Sequence, residues 1–228
     1  MNEQQKQHVT IDTFFAAKPG EVMLSDYTFV DVRDMKPEQI SIEVIANALA
    51  KKPRFNGHTK KFKSVAEHSI SVSNTAHIKY LALYMTHRNV SDVKFNIICY
   101  AIRLFGLLHD AHEAYLFDIP SPFKIMEEFK PLVKLEAKIQ VQIEIALALS
   151  KIENKAALEL IEKEYDFITS IVKTADKQAL QSEVRELYFS DSFPIDGETF
   201  SRSASGFRNQ YLTILHELQT LCNEYTAQ

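Results

Sequence analysis

Between Leu107 and Tyr115 the chain reads Leu-Leu-His-Asp-Ala-His-Glu-Ala-Tyr. His109, Asp110, His112 and Glu113 are four side chains able to bind a metal or carry a proton, packed into five residues at the end of an apolar run. Two distant residues have comparable settings: His68, in Ser64-Val65-Ala66-Glu67-His68, and Asp176, in Lys173-Thr174-Ala175-Asp176. Their spacing puts His68, His109 and Asp176 on the apolar stripes of three separate helices. An unpartnered buried charge is strongly disfavoured, so three such helices would bring their polar residues to one place, where a cation compensates them. The expected ligands of one divalent ion are therefore His68, His109, Asp110 and Asp176. Two imidazoles and two carboxylates suit Mn, Fe, Co, Ni or Zn better than a thiol-seeking ion; Mg is a further candidate. Such an ion acidifies a bound water, towards about 7 in the best case of Zn. Glu113 could take that water's proton and return it to a leaving oxygen, which makes Asp110 and Glu113 the candidate catalytic carboxylates.

Each residue also has an ordinary reading. A lone His on an apolar face is usually a core residue bonded to a carbonyl, and Asp176 could pair with a Lys or cap a turn. Only the set outweighs these. Adjacent residues of a helix diverge by about 100° and do not face each other, so His109 and Asp110 share an ion only if it sits close to the helix, between them. Glu113, four residues beyond His109, falls on the same helical face.

Residues 51–63 carry Lys51, Lys52, Arg54, Lys60, Lys61 and Lys63 and no acid, in a chain of net charge -4. Most of these cations read as a solvated loop. Arg54 is the best phosphate ligand among them, because its planar fork can bind two oxygens. Phe55 beside it could stack on a base, or belong to the core. One short basic cluster in a mildly acidic chain argues against nucleic acid as the partner.

The elements that would position these residues are helical. Few glycines and many Leu, Ala, Glu, Lys and Gln favour helix, and the fold class expected is all-α, with a small N-terminal β-hairpin or flap. Thr13–Phe15, Val22–Leu24 and Tyr27–Val30 are the short aromatic and β-branched runs that suggest the hairpin. Ser41 caps a helix ending near Pro53; Ser64 and Glu67 form a capping box opening a helix at 65; Ser91 caps the next. Pro120 and Pro122 interrupt the chain. Further helices carry Leu132 to Leu147, one long stripe from Ile161 through Tyr165, Ile168 and Val172 to Asp176, and, after a loop at Pro194–Gly197, Phe207 to Leu221. The 228 residues fit one domain, with residues 1–40 as an N-terminal extension. Two cysteines, Cys99 and Cys222, make no disulfide framework. With no apolar leader and no apolar run of about 20 residues, this points to the cytoplasm and away from membranes.

Taken in order, His68, His109-Asp110 and Asp176 resemble the H…HD…D signature of HD-domain metal-dependent phosphohydrolases. Arg54-Phe55-Asn56-Gly57-His58, Ser64 to His68, Leu108 to Ala114 and Asp118-Ile119-Pro120-Ser121-Pro122 are similar to one branch, the small bacterial 5′-deoxynucleotidases and their phage-related relatives. The resemblance runs from Arg54 to Asp176. It implies an HD-type helical bundle, the four ligands named above, Glu113 as the acid/base group, and Arg54 on the phosphate. In that branch an aromatic residue, often Trp, follows the Arg; here it is Phe55. Asp118, with Pro120 in the same element, would lie near the sugar and disfavour a 2′-hydroxyl, although Asp118 could equally be a helix N-cap. His58 and Lys61 are further pocket candidates. A homodimer is also implied.

The expected activity is removal of phosphate from deoxynucleoside 5′-monophosphates. The alternative within the family is release of triphosphate from a deoxynucleoside triphosphate. A di-iron oxygenase on the same scaffold needs more histidines than His58, His77 and His112 supply. A binding protein with a structural ion is disfavoured by Glu113 and Arg54, since structural sites are closed.

Overall fold

Caps and apolar stripes start and orient the helices that carry the centre. The computed structural model describes residues 17–85, 93–189 and 197–226. The fold is all-α, with one small antiparallel hairpin. Strands β1 (Glu21–Met23) and β2 (Phe29–Asp31) pair with Val22 opposite Val30, near the boundaries expected. The segment after β2 lies against the helical body, as expected of the N-terminal hairpin or flap: Arg33 and Met35 offer their carbonyls to Lys138 and Gln142 of a later helix. Thr13–Phe15, the Ser91 cap and the loop at 194–196 lie outside the described residues.

Ser41 caps α1 (Ile42–Lys51), which buries Ile42, Val44, Ile45, Ala46, Leu49 and Ala50 and stops before Pro53. The Ser64–Glu67 capping box opens α2 (Val65–Met85): Glu67 accepts from the Ser64 N–H at 2.8 Å, and Ser64 Oγ accepts from the Glu67 N–H at 3.1 Å. Val65, His68 and Val72 are all fully buried on one face. Next come α3 (Val93–Leu108), the four-residue α4 (Ser121–Lys124), α5 (Lys130–Leu147), α6 (Lys155–Lys163), α7 (Tyr165–Phe189) and α8 (Gly197–Glu224). Helix α3 lies at the centre, touching α2, α5, α6, α7 and α8, and most of the buried apolar side chains of the described residues form one connected cluster. No helix of the described residues is long and apolar enough to cross a membrane.

Two details differ from the expectation. The long stripe from Ile161 to Asp176 is carried by two helices, because the backbone kinks at Glu164 (φ -93°, ψ 6°). Nothing in the local sequence demands the kink. It sits where Tyr165 is tied into the core, its hydroxyl donating to Glu144 at 2.7 Å and its ring edge-on to Phe105. The basic run is also not a solvated loop throughout: Lys52 donates to the Leu116 carbonyl, and Arg54 and Lys63 both pair with Glu183. Each of these cations has a buried or carbonyl acceptor that the sequence placed far away.

Candidate metal centre

Helices α2 and α3 approach closely at Gly106, where an added Cβ would lie 3.1 Å from the Cα of Ser73. That approach comes two residues before the end of α3 and brings the His68 and His109 rings to 5.2 Å between centroids. The helix ends at Leu108, and this resolves the difficulty of two adjacent ligands. His109 and Asp110 occupy a turn, with Asp110 at φ -108°, ψ 16°, so their side chains escape the 100° divergence of a continuing helix. Asp110 Oδ2 lies 3.1 Å from His109 Nε2 and 3.7 Å from His68 Nε2. From α7, Asp176 Oδ1 lies 3.1 Å from His68 Nε2 and 3.9 Å from His109 Nε2. His68, His109 and Asp110 are the tightest set, with one ligand atom each all within 4.8 Å of one another; Asp176 closes on both imidazoles from the more exposed side.

The hydrogen bonds around the rings decide what the cluster can hold. His109 Nδ1 faces the Gly106 carbonyl at 2.9 Å. A carbonyl only accepts, so Nδ1 carries the proton. His68 Nδ1 likewise donates to Glu183 Oε1 at 2.8 Å. In neutral rings both Nε2 atoms are then bare acceptors, buried and without a hydrogen-bond partner, and each is aimed at carboxylate oxygens, which are also acceptors. Lone pairs facing lone pairs at 3.1 Å repel unless a cation stands between them. With ligand bonds of about 2.1 Å, neighbouring ligand atoms fall roughly 3.0–3.4 Å apart and opposite ones about 4.2 Å. The observed separations of 3.1 to 3.9 Å lie in that range. The residues therefore fit a divalent ion on a nitrogen and oxygen donor set. Without one, a proton is the substitute: burial pushes His68 down, but Asp176 and Glu183 outweigh it and raise its pKa.

Glu183 is the participant that sequence reasoning missed. It is 1% exposed; Oε1 takes the His68 N–H and lies 3.3 Å from Lys63 Nζ, and Oε2 lies 3.2 Å from Arg54 Nε. Burial alone would raise its pKa, but His68, Arg54 and Lys63 hold it down at about 2. A carboxylate on the far nitrogen of a ligand imidazole fixes its tautomer and raises its basicity. The signal was present: Glu183 lies seven residues, two helical turns, beyond Asp176, on a stripe with Val172, Ala179 and Leu187.

Arg54 stands at the edge of the cluster, its Nη1 3.9 Å from Asp110 Oδ2. It opens a short turn in which Phe55, Asn56 and Gly57 all have positive φ. The Phe55 ring is half-buried between the Arg54 guanidinium and, edge-on, Tyr188. Glu113 lies in the 3₁₀ turn Ala111–Ala114 rather than on a continued helix. It is buried with Oε2 unpartnered. Burial and the neighbouring Asp110 and Asp118 carboxylates push its pKa up to about 9, against Arg54 and Lys52. Asp110 moves the other way: burial raises it, but His109 and His68 dominate and keep it ionised. Asp118 is half-buried near Glu113 and Lys52 and caps no helix, since α4 starts at Ser121 with Pro120 as its cap residue. His58 is exposed, its N–H closing the turn onto the Phe55 carbonyl. Lys61 is half-buried, its carbonyl accepting from Thr59.

No family model and no curated protein matches the chain.

Proposed function

We propose that the chain is a metal-dependent phosphohydrolase of the HD type, acting on deoxynucleoside 5′-monophosphates. The observation that carries this reading is the convergence of two bare imidazole nitrogens with Asp110 and Asp176, beside a buried carboxyl group with one oxygen unpartnered and a guanidinium. His68, His109, Asp110 and Asp176 would hold the ion. When bound, a divalent ion polarises a phosphoryl oxygen and acidifies a coordinated water. Glu113 would take a proton from that water and pass it to the leaving oxygen; its buried Oε2, free of any hydrogen-bond partner, supports that role. The same protein interior that raises its pKa in the metal-free chain makes it a competent acid. Arg54, with Nε committed to Glu183, can offer its Nη groups to an anionic oxygen without having to be ordered first. Asp118, a charged neighbour of Glu113 and Lys52, would face the sugar, and the preference for the 2′-deoxy form rests on the resemblance to the deoxynucleotidase branch.

The test is a panel of nucleoside mono- and triphosphates, ribo and deoxy, with Mn, Co and Mg, run beside Asp110→Ala. The expected result is phosphate release from deoxynucleoside monophosphates, reduced by at least about 10³-fold in the variant. Triphosphate as the product would move the reading to the triphosphohydrolase alternative. Absence of hydrolysis with every metal, or an Asp110→Ala chain as active as wild type, would sink it.

A further inference from the structure

We infer that Gln140 is a positioning residue for the metal centre: its amide grips the backbone on both sides of His109-Asp110 and holds the turn that aims them. The inference rests on reading the cluster as a metal centre. Gln140 belongs to α5, which contributes no ligand. Its Nε2 donates to the Leu108 carbonyl at 2.9 Å and to Glu144 Oε1 at 2.8 Å. Its Oε1 lies 3.4 Å from the His112 backbone N and 3.2 Å from His112 Nδ1. A carbonyl only accepts and a backbone N–H only donates, so the orientation of the amide is unambiguous, and His112 Nδ1 carries its proton. Both donor hydrogens and both acceptor sites of the side chain are used, which leaves it no alternative pose.

The two groups it holds are those the turn would otherwise leave open. Leu108 O is one of the last carbonyls of α3, which lack intrahelical partners. The His112 N–H belongs to the second residue of the following 3₁₀ turn, Ala111–Ala114. Between them stand only His109, Asp110 and Ala111. The distance from Leu108 O to His112 N is therefore set by one amide, and with it the non-helical backbone of Asp110. The amide is itself anchored: Glu144, 7% exposed, accepts from Gln140 with one oxygen and from the Tyr165 hydroxyl with the other at 2.7 Å. The chain of contacts runs from α7 through α5 to the end of α3, so the ligand pair is held against two helices other than its own.

The experiment uses the full chain stripped of metal and titrated with Co²⁺, read by visible absorption and calorimetry. Gln142→Met is the matched control, being the same residue type on the same helix, bonded to the Met35 carbonyl away from the centre. Gln140→Met is expected to weaken Co²⁺ binding about 10–100-fold, the usual range for removing a group that orients ligands, and to change the absorption band, while Gln142→Met does neither. If Gln140→Met does not fold, His112→Ala removes one anchor of the grip and is expected to weaken binding by a few-fold. Native affinity and band shape in Gln140→Met, or in His112→Ala where that variant stands in, would overturn the inference. An equal loss in Gln142→Met would do the same. A wild-type chain that gives no Co²⁺ band points instead to failure of the metal reading itself.

Discussion

The two imidazoles of the centre are held in opposite ways. His68, on α2, is steadied by charge: its Nδ1–H meets Glu183, which is also the partner of Arg54 and Lys63. His109, just past the end of α3, is steadied by neutral groups: its Nδ1–H donates to the Gly106 carbonyl, and close packing at Gly106 sets its distance from α2. The lesson is that one side of the site depends on charge balance and the other on fit. Each side should therefore break under a different perturbation.

The largest effect is expected at Glu183. Replacing it by Ala leaves the Arg54 Nε–H and the His68 N–H without their acceptor and Lys63 with only the more exposed Glu186, and breaking a buried ionic cluster costs roughly 3–5 kcal/mol. Chemical denaturation of the metal-free chain measures this. The charged side should also respond to acid. The folded-state pKa of Glu183 is depressed to about 2 from 4.5, so its contribution is complete above pH 4.5 and is lost as pH falls from there towards 2. An unchanged acid midpoint in Glu183→Gln would contradict the charge-held account.

On the neutral side, Gly106→Ala adds a methyl 3.1 Å from backbone that cannot swing away. Overpacking of this kind costs about 1–3 kcal/mol. It should widen the His68–His109 gap and weaken metal binding without altering the acid response, and parallel melts at pH 3 and pH 7 separate the two outcomes. The smallest perturbation in size is Glu113→Gln, and its sign is the opposite. The folded pKa of Glu113 is raised from 4.5 to about 9, so the metal-free native state loses stability as pH rises between those values. The Gln variant should melt higher than wild type at pH 8, with a gain that shrinks towards pH 5. An equal gain at both values would show that Glu113 is not held neutral by burial.

The sequence was informative wherever a local pattern meets its own chemistry. The Ser64–Glu67 box, the Ser41 cap and the stripes through His68 and Asp176 could be read directly, because caps act within a few residues and helical faces repeat at 3.6. That three polar residues on apolar faces would converge followed from the cost of burying them apart. Glu183 obeyed the same rule and could have been found by extending the Asp176 stripe two turns. What only the tertiary structure decided were the places where distant groups override the local pattern. At the end of α3 the Leu108 carbonyl is met by Gln140, 32 positions downstream, and the kink at Glu164 accompanies the docking of Tyr165 on Glu144. Lys52 and Lys63, read as solvated from composition, are drawn inward by acceptors more than sixty residues away. The raised pKa of Glu113 exists only once the interior closes around it, because desolvation and the fields of neighbouring carboxylates are properties of a packed space and not of a string of residues.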